Sequence, residues 1–256
     1  MTDYLIFTIA APMASFGGQY DPGERRNSAD RPAKSGILGL IAAALGIERT
    51  EEERLARLRD SLHFAVRVDD PGQPAFDYHT TQVPPARRNR RFATRSDELA
   101  VPKTELKTIL STRGYRINAR VSPAVWLRGD HAPYSLDHIR DALVKPHFTP
   151  FAGRKAHPLM LPCHPVIVRA DSIVAAYAAF DAAEPQAIRE LREKRLTLPS
   201  RFQQPSPPLI YADLDAAGSE PRSRVEQRRD WPDSVSKRRF GLRQEAVLQP
   251  VSGGVT

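Results

Sequence analysis

The segment RPAKSGILGLIAAALGIER, residues 31–49, decides how the N-terminal half of the chain is interpreted. Its Lys34-Ser35-Gly36 resembles the end of a phosphate-binding loop. Such a loop needs one glycine directly before the lysine and another five residues earlier, so that backbone N–H groups can surround the phosphates. Here those two positions hold Ala33 and Ser28. The spacing therefore argues against a nucleotide-binding loop.

The same segment is typical of a helix packed in a core. Its apolar residues follow the i, i+3, i+4, i+7 rhythm of a helix and are Ile37, Leu40, Ile41, Ala44 and Leu45. Ser35 is predicted to be the N-cap, and Gly46 ends the helix. The entrance is rich in cations, with Arg25, Arg26, Arg31 and Lys34 close together. Because a helix N-terminus receives phosphate readily, we expect Lys34 and Ser35 also to neighbour a phosphate.

Length and composition restrict the class of protein. The chain has 256 residues, enough for one large or two small domains, and 41% of them are hydrophobic. No apolar window reaches the roughly 18 residues of a membrane span, and the N-terminus MTDYLIFTIA lacks the pattern of a signal peptide. Cys163 is the single cysteine, which excludes an internal disulfide and a zinc site built on a cysteine pair. These features predict a cytoplasmic protein.

The charge of the chain is positive and unevenly distributed. The net charge is +8, and residues 86–116 alone contain nine Lys/Arg against three Asp/Glu. A second basic group, SKRRFGLR, lies near the C-terminus. Phosphate neutralisation dominates binding of such surfaces to nucleic acid, so a polyanionic partner is expected. The alternative is a soluble protein that is merely basic; a membrane surface is disfavoured because no basic run forms a clean amphipathic helix.

The order of predicted elements indicates an α+β fold. Strands are predicted at 4–12, 63–70, 116–130 and 163–170, with helices at 35–46, 51–62 and 134–146. Pro123 implies an edge or a bulge in the third strand, and the last helix has Ser135 as its predicted cap with Leu136, Ile139 and Leu143 as its inner face. Beyond residue 170 an Ala-rich helix, a charged helix at 184–196 and short strands at 208–214 and 239–248 are predicted. When 77–115 is set aside as a long basic insertion, the order becomes β-α-β-β-α-β, the ferredoxin-like unit that RNA-recognition motifs share. We therefore predict a palm formed by 1–76 and 117–170, an inserted basic thumb at 77–116, and a smaller β-rich part, 171–256, packed on the palm.

Four segments in this order resemble the CasD family, the Cas-five subunits of type I-E CRISPR systems. They are APMASFG at 11–17, the segment 31–49, DYHTTQ at 77–82 and KPHFTPFAGRKAHPL at 145–159. The resemblance covers about the first 170 residues well, while WPDSVSKRRFGLR at 231–243 fits more loosely.

The resemblance implies a non-catalytic RNA-binding subunit of the Cascade surveillance complex. Such a subunit holds the repeat-derived five-prime handle of the CRISPR RNA with its palm and thumb. Its partners would be the CRISPR RNA, the neighbouring backbone subunit and the large subunit, with target DNA involved only indirectly. No cofactor, metal or membrane partner is expected.

Three groups of residues are the candidates for RNA contact: the helix entrance, the thumb, and the FAGRKAHP loop, in which a glycine would let the backbone approach the ligand. Arginine suits phosphate oxygens, and aromatic rings can stack on unpaired bases. The candidates are Arg26, Arg31, Lys34, Ser35, Arg87, Arg88, Arg90, Arg91, Phe92, Arg95, Lys103, Lys107, Arg113, Tyr115, Gly153, Arg154, Lys155 and His157.

Two alternatives to this function stay open. The first is metal-independent cleavage of the repeat RNA, for which Tyr78, His79 and Lys103 supply suitable side chains. Against it, adjacent residues of a strand face opposite ways, which would separate Tyr78 from His79. The second is a general RNA-binding module. Neither His157, Cys163 nor His164 has zinc-ligand spacing, and Cys163 is expected to pack as a small apolar residue.

Overall fold

A computed structural model describes residues 1–17, 24–86, 91–186, 190, 208–234, 237 and 239–248. Within these residues the fold is α+β, as predicted, and is dominated by one large, mainly antiparallel sheet. The strands are β1 Thr2–Ile6, β2 Ile9–Ala14, β3 Arg25–Arg26, β4 Leu62–Asp70, β5 Gln73–Val83, β6 Lys107–Leu127, β7 Val166–Ala170, β8 Ile210–Asp213, β9 Arg222–Ser234 and β10 Arg239–Leu248. The helices are α1 Lys34–Ala44, α2 Glu52–Asp60, α3 Arg95–Leu99, α4 Leu136–Val144 and α5 Ile173–Ala183.

The strand order across the sheet is β7-β1-β6-β4-β8-β10-β9. β2, β3 and β5 lie off this path, and each pairs with the 21-residue strand β6. Only the β3–β6 pairing is parallel among the described strands. β6 thus connects two parts of the structure, since its C-terminal half lies inside the main sheet and its N-terminal half pairs with β5.

The centre of the sheet is buried on both faces. Along β4, Phe64 and Val66 face one cluster of apolar side chains and Ala65 between them faces the other, as the alternation of a strand requires. The first cluster includes residues of α1, α2 and α4, and the second includes residues of α5. This two-sided burial explains the nearly continuous apolar run of β4.

Helix α1 forms where the 31–49 segment predicts it, but it begins differently. The N-cap is Ala33, not Ser35, and no side chain of the segment caps the helix. Instead, the Asp230 carboxylate of β9 accepts a hydrogen bond from the backbone N–H of Lys34 at 2.9 Å. At the other end Gly46 has φ +72°, and Ile47 N–H donates to the Ala42 carbonyl at 2.8 Å. The predicted glycine end is confirmed.

Helix α4 is confirmed in detail. The Ser135 hydroxyl accepts a hydrogen bond from the backbone N–H of His138, which makes Ser135 the N-cap. Leu136, Ile139 and Leu143 are its buried face. Because cap and apolar periodicity are both local signals, this helix could be predicted without tertiary information.

Strand β6 differs from its prediction in length and in position. It begins at Lys107 rather than near 116, so it extends into the segment predicted as an insertion. Pro123 was expected at an edge or a bulge. It lies instead in the interior of the sheet, paired with Val66 of β4 and located opposite the interruption between β1 and β2.

The C-terminal strands extend the same sheet. β8 pairs with β4, β10 with β8, and β9 with β10. β8 and β10 coincide with the predicted strands, whereas β9 was missed because its sequence RSRVEQRRDWPDS is dominated by charged residues. Most of the predicted charged helix at 184–196 lies outside the described residues. No helix of the described part is long and apolar enough to cross a membrane.

Candidate nucleic-acid interface

An exposed part of the molecule is the arm, which we define as residues 73–117. It consists of β5, the first half of β6 and the connection between them. The two strands pair in unbroken register from Gln73–Ile117 to Val83–Lys107. Between residues 74 and 82 no side chain of β5 is buried, and the same holds for residues 107–113 of β6. The arm therefore presents both faces to the surroundings.

The predicted thumb cations lie on this arm. Arg91, Arg95, Lys103 and Lys107 are exposed. Of these, Arg95 is engaged within the arm, since it pairs with Glu98 at 2.5 Å and donates to the Gln82 carbonyl. Arg87, Arg88 and Arg90 lie outside the described residues. Phe92 is half-buried, so its predicted role in stacking stays a prediction.

Strand β3 brings two further arginines to the base of the arm. Arg25 is in register with Thr112, and Arg26 with Arg113, on the edge of β6 that β5 does not occupy. The pairing is extended by a hydrogen bond from Thr112 N–H to the Glu24 carbonyl at 2.7 Å. Sequence reasoning placed these arginines at a helix entrance; the structure places them beside Arg113. No carboxylate of the described residues forms an ion pair with these three arginines.

The loop at 151–158 lies at the same base. Gly153 has φ +88°, and a Cβ added there would lie 1.8 Å from the Ser15 carbonyl oxygen. The close approach that requires glycine is therefore to the protein's own chain, which corrects the prediction that Gly153 admits a ligand. Ser15 N–H donates to the Ala152 carbonyl at 3.0 Å, so this loop and the end of β2 are held together.

Tyr115 and His157 stabilise this base rather than offering free surfaces. Tyr115 is 9% exposed and His157 5% exposed, with their rings edge to face at 5.5 Å. The Arg154 guanidinium lies 5.2 Å from the Tyr115 ring and donates to its hydroxyl at 3.2 Å. Because both rings are buried, the structure contradicts the predictions of Tyr115 as a base-stacking partner and of His157 as a donor to a phosphate.

The protonation of His157 agrees with a structural role. Burial, aided by the charge of Arg154, lowers the pKa of His157, so the imidazole is neutral near pH 7. Lys155, next in the chain to Arg154, is exposed, and its contact with RNA stays a prediction.

The cations of the helix entrance are used inside the protein. Lys34 is 0% exposed, and its ammonium lies 2.5 Å from the Asp213 carboxylate and 4.7 Å from the Trp231 ring. The Arg31 guanidinium lies 3.5 Å above the Tyr211 ring and pairs with Glu226 and Glu245. The predicted RNA contacts of Lys34 and Arg31 are therefore wrong. The anion expected at the start of α1 is the carboxylate of Asp230, which also occupies the place predicted for a phosphate beside Ser35.

These contacts belong to a buried network that joins α1 to β8, β9 and β10, which we call the ion network. At its centre, Arg243 bonds Asp230 at 2.6 Å, Glu245 at 2.7 Å and Asp213 at 3.2 Å. Burial lowers the pKa of Lys34, although the neighbouring Asp213 carboxylate opposes this effect. One signal could have revealed the network: Asp213 and Glu245 are charged residues at inward positions of apolar strands, and such residues need a buried partner.

The residues weighed for RNA cleavage do not converge. Tyr78 is 62% exposed on one face of β5, and His79 points to the other face, where its Nε2 lies 2.8 Å from Asp77 Oδ2. Lys103 lies on a 3₁₀ turn in the connection between β5 and β6. No contact joins any two of the three side chains within the described part of the chain.

Two remaining groups with metal-binding or nucleophilic side chains have structural roles. Cys163 is buried in the core, where burial raises the pKa of its thiol to about 11. His63, Asp213 and Asp215 are close enough to hold an ion. However, Asp213 already binds Lys34 and Arg243, and Asp215 pairs with Arg128 at 2.8 Å. These cations occupy the place of a metal.

Comparisons with known proteins agree on one family. A family model described as CRISPR-associated protein (Cas_Cas5) matches residues 4–244. The chain is 34% identical over 170 residues to the CRISPR system Cascade subunit CasD of Escherichia coli (strain K12), which covers 63% of this chain and 70% of CasD.

Solved structures give the same answer for the fold. A chain of a CRISPR RNA-guided surveillance complex is 28% identical, with a TM-score of 0.57 over 96% of this chain and 89% of that one. A second structure, described as a Cas protein, is 23% identical with a TM-score of 0.53 over 96% and 95% of the two chains, and it supports the fold alone.

Proposed function

The chain belongs to the Cas5 family of CRISPR-associated proteins, and we propose that it is the Cascade subunit that holds the five-prime handle of the CRISPR RNA without cutting it. Family membership confirms the resemblance found in the sequence. The single observation that carries the RNA-binding role is a group of unpaired cations on and beside the arm, in contrast to the cations of the helix entrance, which are paired inside the protein.

The paired set neutralises itself. Arg31, Lys34 and Arg243 meet Glu226, Asp213, Asp230 and Glu245 in the ion network, with Arg228 also beside Asp230 at 3.4 Å. This set contributes little to the field outside the protein, because each cation lies against an anion.

A group of unpaired cations lies at one end of the molecule. Its described members are Arg25, Arg26, Arg91, Lys103, Lys107, Arg113 and Lys155. They surround the arm and its base, and no ion pair within the described residues neutralises them. Such a group favours a phosphate backbone, which is bound through release of its counterions.

In this proposal the palm is ferredoxin-like and the arm is its thumb. The order β7-β1-β6-β4 supports the first point, because it is the 4-1-3-2 order of a β-α-β-β-α-β unit when β2, β3 and β5 are set aside. The free faces of β5 and β6 support the second. Residues 171–256 would form a further part packed on the palm. The neighbouring backbone subunit and the large subunit are the proposed protein partners, in a cytoplasmic ribonucleoprotein.

A scaffold rather than a nuclease is supported by the site geometry. Cleavage of RNA without a metal needs a base and an acid near the same phosphate. Tyr78 and His79 lie on opposite faces of β5, and His79 faces Asp77 instead of a cationic partner.

The test is to mix the purified chain, alone or co-purified with its neighbouring subunits, with end-labelled CRISPR repeat RNA in a chelator. Half of each sample is resolved on a native gel and half on a denaturing gel. Retarded but intact RNA is the expected result. A discrete cleavage product that is lost in His79→Ala would instead assign a metal-independent endoribonuclease, and RNA that is neither retarded nor cut would contradict both functions.

A further inference from the structure

Two exposed aromatic rings on the arm have no partner among the residues that the structure describes. Phe76 is 66% exposed and Tyr78 62% exposed, although large aromatic side chains are usually buried. They are separated by one residue of β5, so both project from the same face, about 7 Å apart along the strand. We propose that Phe76 and Tyr78 form an aromatic platform on which unpaired bases of the CRISPR RNA handle stack; this inference rests on the proposed function.

The floor and one side of the platform are defined by the strand register. Phe76 is opposite Gly114, and Tyr78 is opposite Thr112. Since directly opposed residues share a face, no side chain lies directly across the strands from the Phe76 ring. A Cβ at Gly114 would lie 2.9 Å from the backbone nitrogen of Ser28, so the chain at 27–28 borders the platform beside Phe76.

A cation lies across the sheet from Tyr78. Thr112 is in register with Tyr78 on one side and with Arg25 on the other, which places Tyr78, Thr112 and Arg25 in one row of three strands. Arg25 is exposed. The row thus offers a ring, a hydroxyl and a guanidinium in sequence, which matches the base, the ribose hydroxyl and the phosphate of a nucleotide.

Single-stranded RNA fits these features better than a protein partner does. The centre of a protein–protein interface is depleted of charged groups, whereas this platform has the exposed Arg25 and the Thr112 hydroxyl in the same row as Tyr78. Unpaired bases stack on aromatic side chains irrespective of sequence, and the accompanying backbone needs a cation. The spacing of the rings is also about twice the roughly 3.4 Å rise per nucleotide of a stacked strand.

The platform replaces a role that sequence reasoning gave to Tyr115. Tyr115 is on the opposite face of β6, and its ring is covered by Arg154 and His157. The exposed rings lie five and seven residues before Val83, where the pairing of β5 with β6 ends; the sequence pattern there predicted only a strand that enters an insertion.

The test uses the full chain and a synthetic CRISPR RNA that carries its repeat-derived five-prime end, with 2-aminopurine substituted at one handle position at a time. Stacking on the platform should quench 2-aminopurine at one or two adjacent positions in the wild type. Phe76→Ala and Tyr78→Ala should each weaken binding roughly 5- to 150-fold and remove that quenching. Tyr78→Phe, which keeps the ring, should retain both.

Two controls separate this contact from general effects. Ile109→Ala removes an exposed apolar side chain from the other face of the arm and should leave binding unchanged. The dependence of binding on salt should be the same in both alanine variants and in the wild type, because a ring releases no counterions.

The outcomes distinguish this inference from the proposed function. If the wild type binds the RNA and Phe76→Ala with Tyr78→Ala binds equally well, the platform is refuted while the RNA-binding function stands. If that double variant binds RNA normally but no longer co-purifies with the neighbouring subunits, the face is a protein interface and the inference is wrong. If the wild type itself does not bind, the proposed function fails first.

Discussion

Gly153 shows how one residue can suggest ligand binding while serving the fold. In the sequence it precedes Arg154 and Lys155, which is typical of a loop that approaches a phosphate. In the structure its positive φ and its contact with the Ser15 carbonyl join the loop at 151–158 to the end of β2. The glycine therefore fixes the loop that carries the two cations.

Gly153→Ala should destabilise the protein. A positive φ alone costs a non-glycine residue about 1–3 kcal/mol, and the added Cβ must also displace the Ser15 carbonyl. The matched control is Gly39→Ala, because Gly39 lies within α1 and its added Cβ meets no atom within 4 Å. That variant should gain about 0.5–1 kcal/mol. Urea unfolding of both variants checks the prediction, and a loss for both or for neither would contradict it.

Lys34 is the second residue whose environment reverses its interpretation. Lys34→Ala would leave the Asp213 carboxylate buried without its ammonium partner, so the free energy of unfolding should fall by about 3–5 kcal/mol. Lys155→Ala, at an exposed lysine, should change it by less than about 0.5 kcal/mol. Both are measured by urea unfolding.

The double variant Lys34→Met, Asp213→Asn is the control for the stability measured in Lys34→Ala. It removes the ammonium and the negative charge together, so it should recover part of the loss seen in Lys34→Ala. If Lys34→Ala were instead stable but bound RNA with a lower salt dependence, Lys34 would be a phosphate contact after all.

At the scale of elements, the arm and β3 act together because β6 pairs with both. Arg25 and Arg26 come from a two-residue strand that local patterns cannot reveal, since two residues carry no periodicity. Their position beside Arg113 follows only from the parallel pairing with β6. The extension of β6 to Lys107 likewise depends on β5 as its partner.

The double variant Arg25→Ala, Arg26→Ala should bind CRISPR RNA more weakly and with less dependence on salt. Each lost phosphate contact lowers the slope of log affinity against log salt by about 0.7 for a single strand, so a decrease of about 1.4 is expected. Arg49→Ala with Arg57→Ala removes the same charge from exposed positions before and within α2 and should leave the slope unchanged. Titrations at four salt concentrations decide this, and equal slopes for the two double variants would exclude Arg25 and Arg26 from the RNA site.

At the scale of the whole molecule, the ion network determines how the first and last thirds of the chain are joined. It links the start of α1 to β8, β9 and β10. β8 in turn pairs with β4 in the main sheet. Since charges in such a network need one another, its parts should fail together when one of them is neutralised.

The network predicts the response of the protein to acid. For Asp230, burial alone raises the pKa, but the hydrogen bond from Arg243 and the charges of Arg243 and Arg228 outweigh it and lower the pKa below the ordinary value of 3.8. The stability from Asp230 is therefore fully present above pH 3.8 and is lost as the pH falls through the lower pKa of the folded state. The pKa of Glu226 is likewise lowered below its ordinary value of 4.5, so the stability that Glu226 contributes is also lost as the pH falls.

Asp230→Asn should be less stable at pH 7 by about 3–5 kcal/mol, because Arg243 loses its main partner. It should also lose less stability than the wild type between pH 4 and pH 3. Midpoints of urea unfolding from pH 7 to pH 3 measure both effects. Burial raises the pKa of Glu220 above its ordinary value of 4.5, so the stability that Glu220 contributes changes with pH in the opposite direction and only above pH 4.5. It therefore does not affect the comparison between pH 4 and pH 3. If the unfolding midpoints of the variant and of the wild type fell equally between pH 4 and pH 3, the role of Asp230 would be contradicted.

Features that depend on near neighbours could be predicted from the sequence. The cap and apolar face of α4, the glycine that ends α1 and the strands β4, β8 and β10 follow from patterns within about a dozen residues, and the family follows from four segments in order along residues 11–159. Which cations are free could be read from the tertiary structure alone. Lys34 and Asp213 are 179 residues apart, and Arg31 and Glu245 are 214 apart, so no local pattern reports their pairing. Electrostatic availability depends on distance in space, and that distance exists only once the C-terminal strands have joined the sheet beside α1.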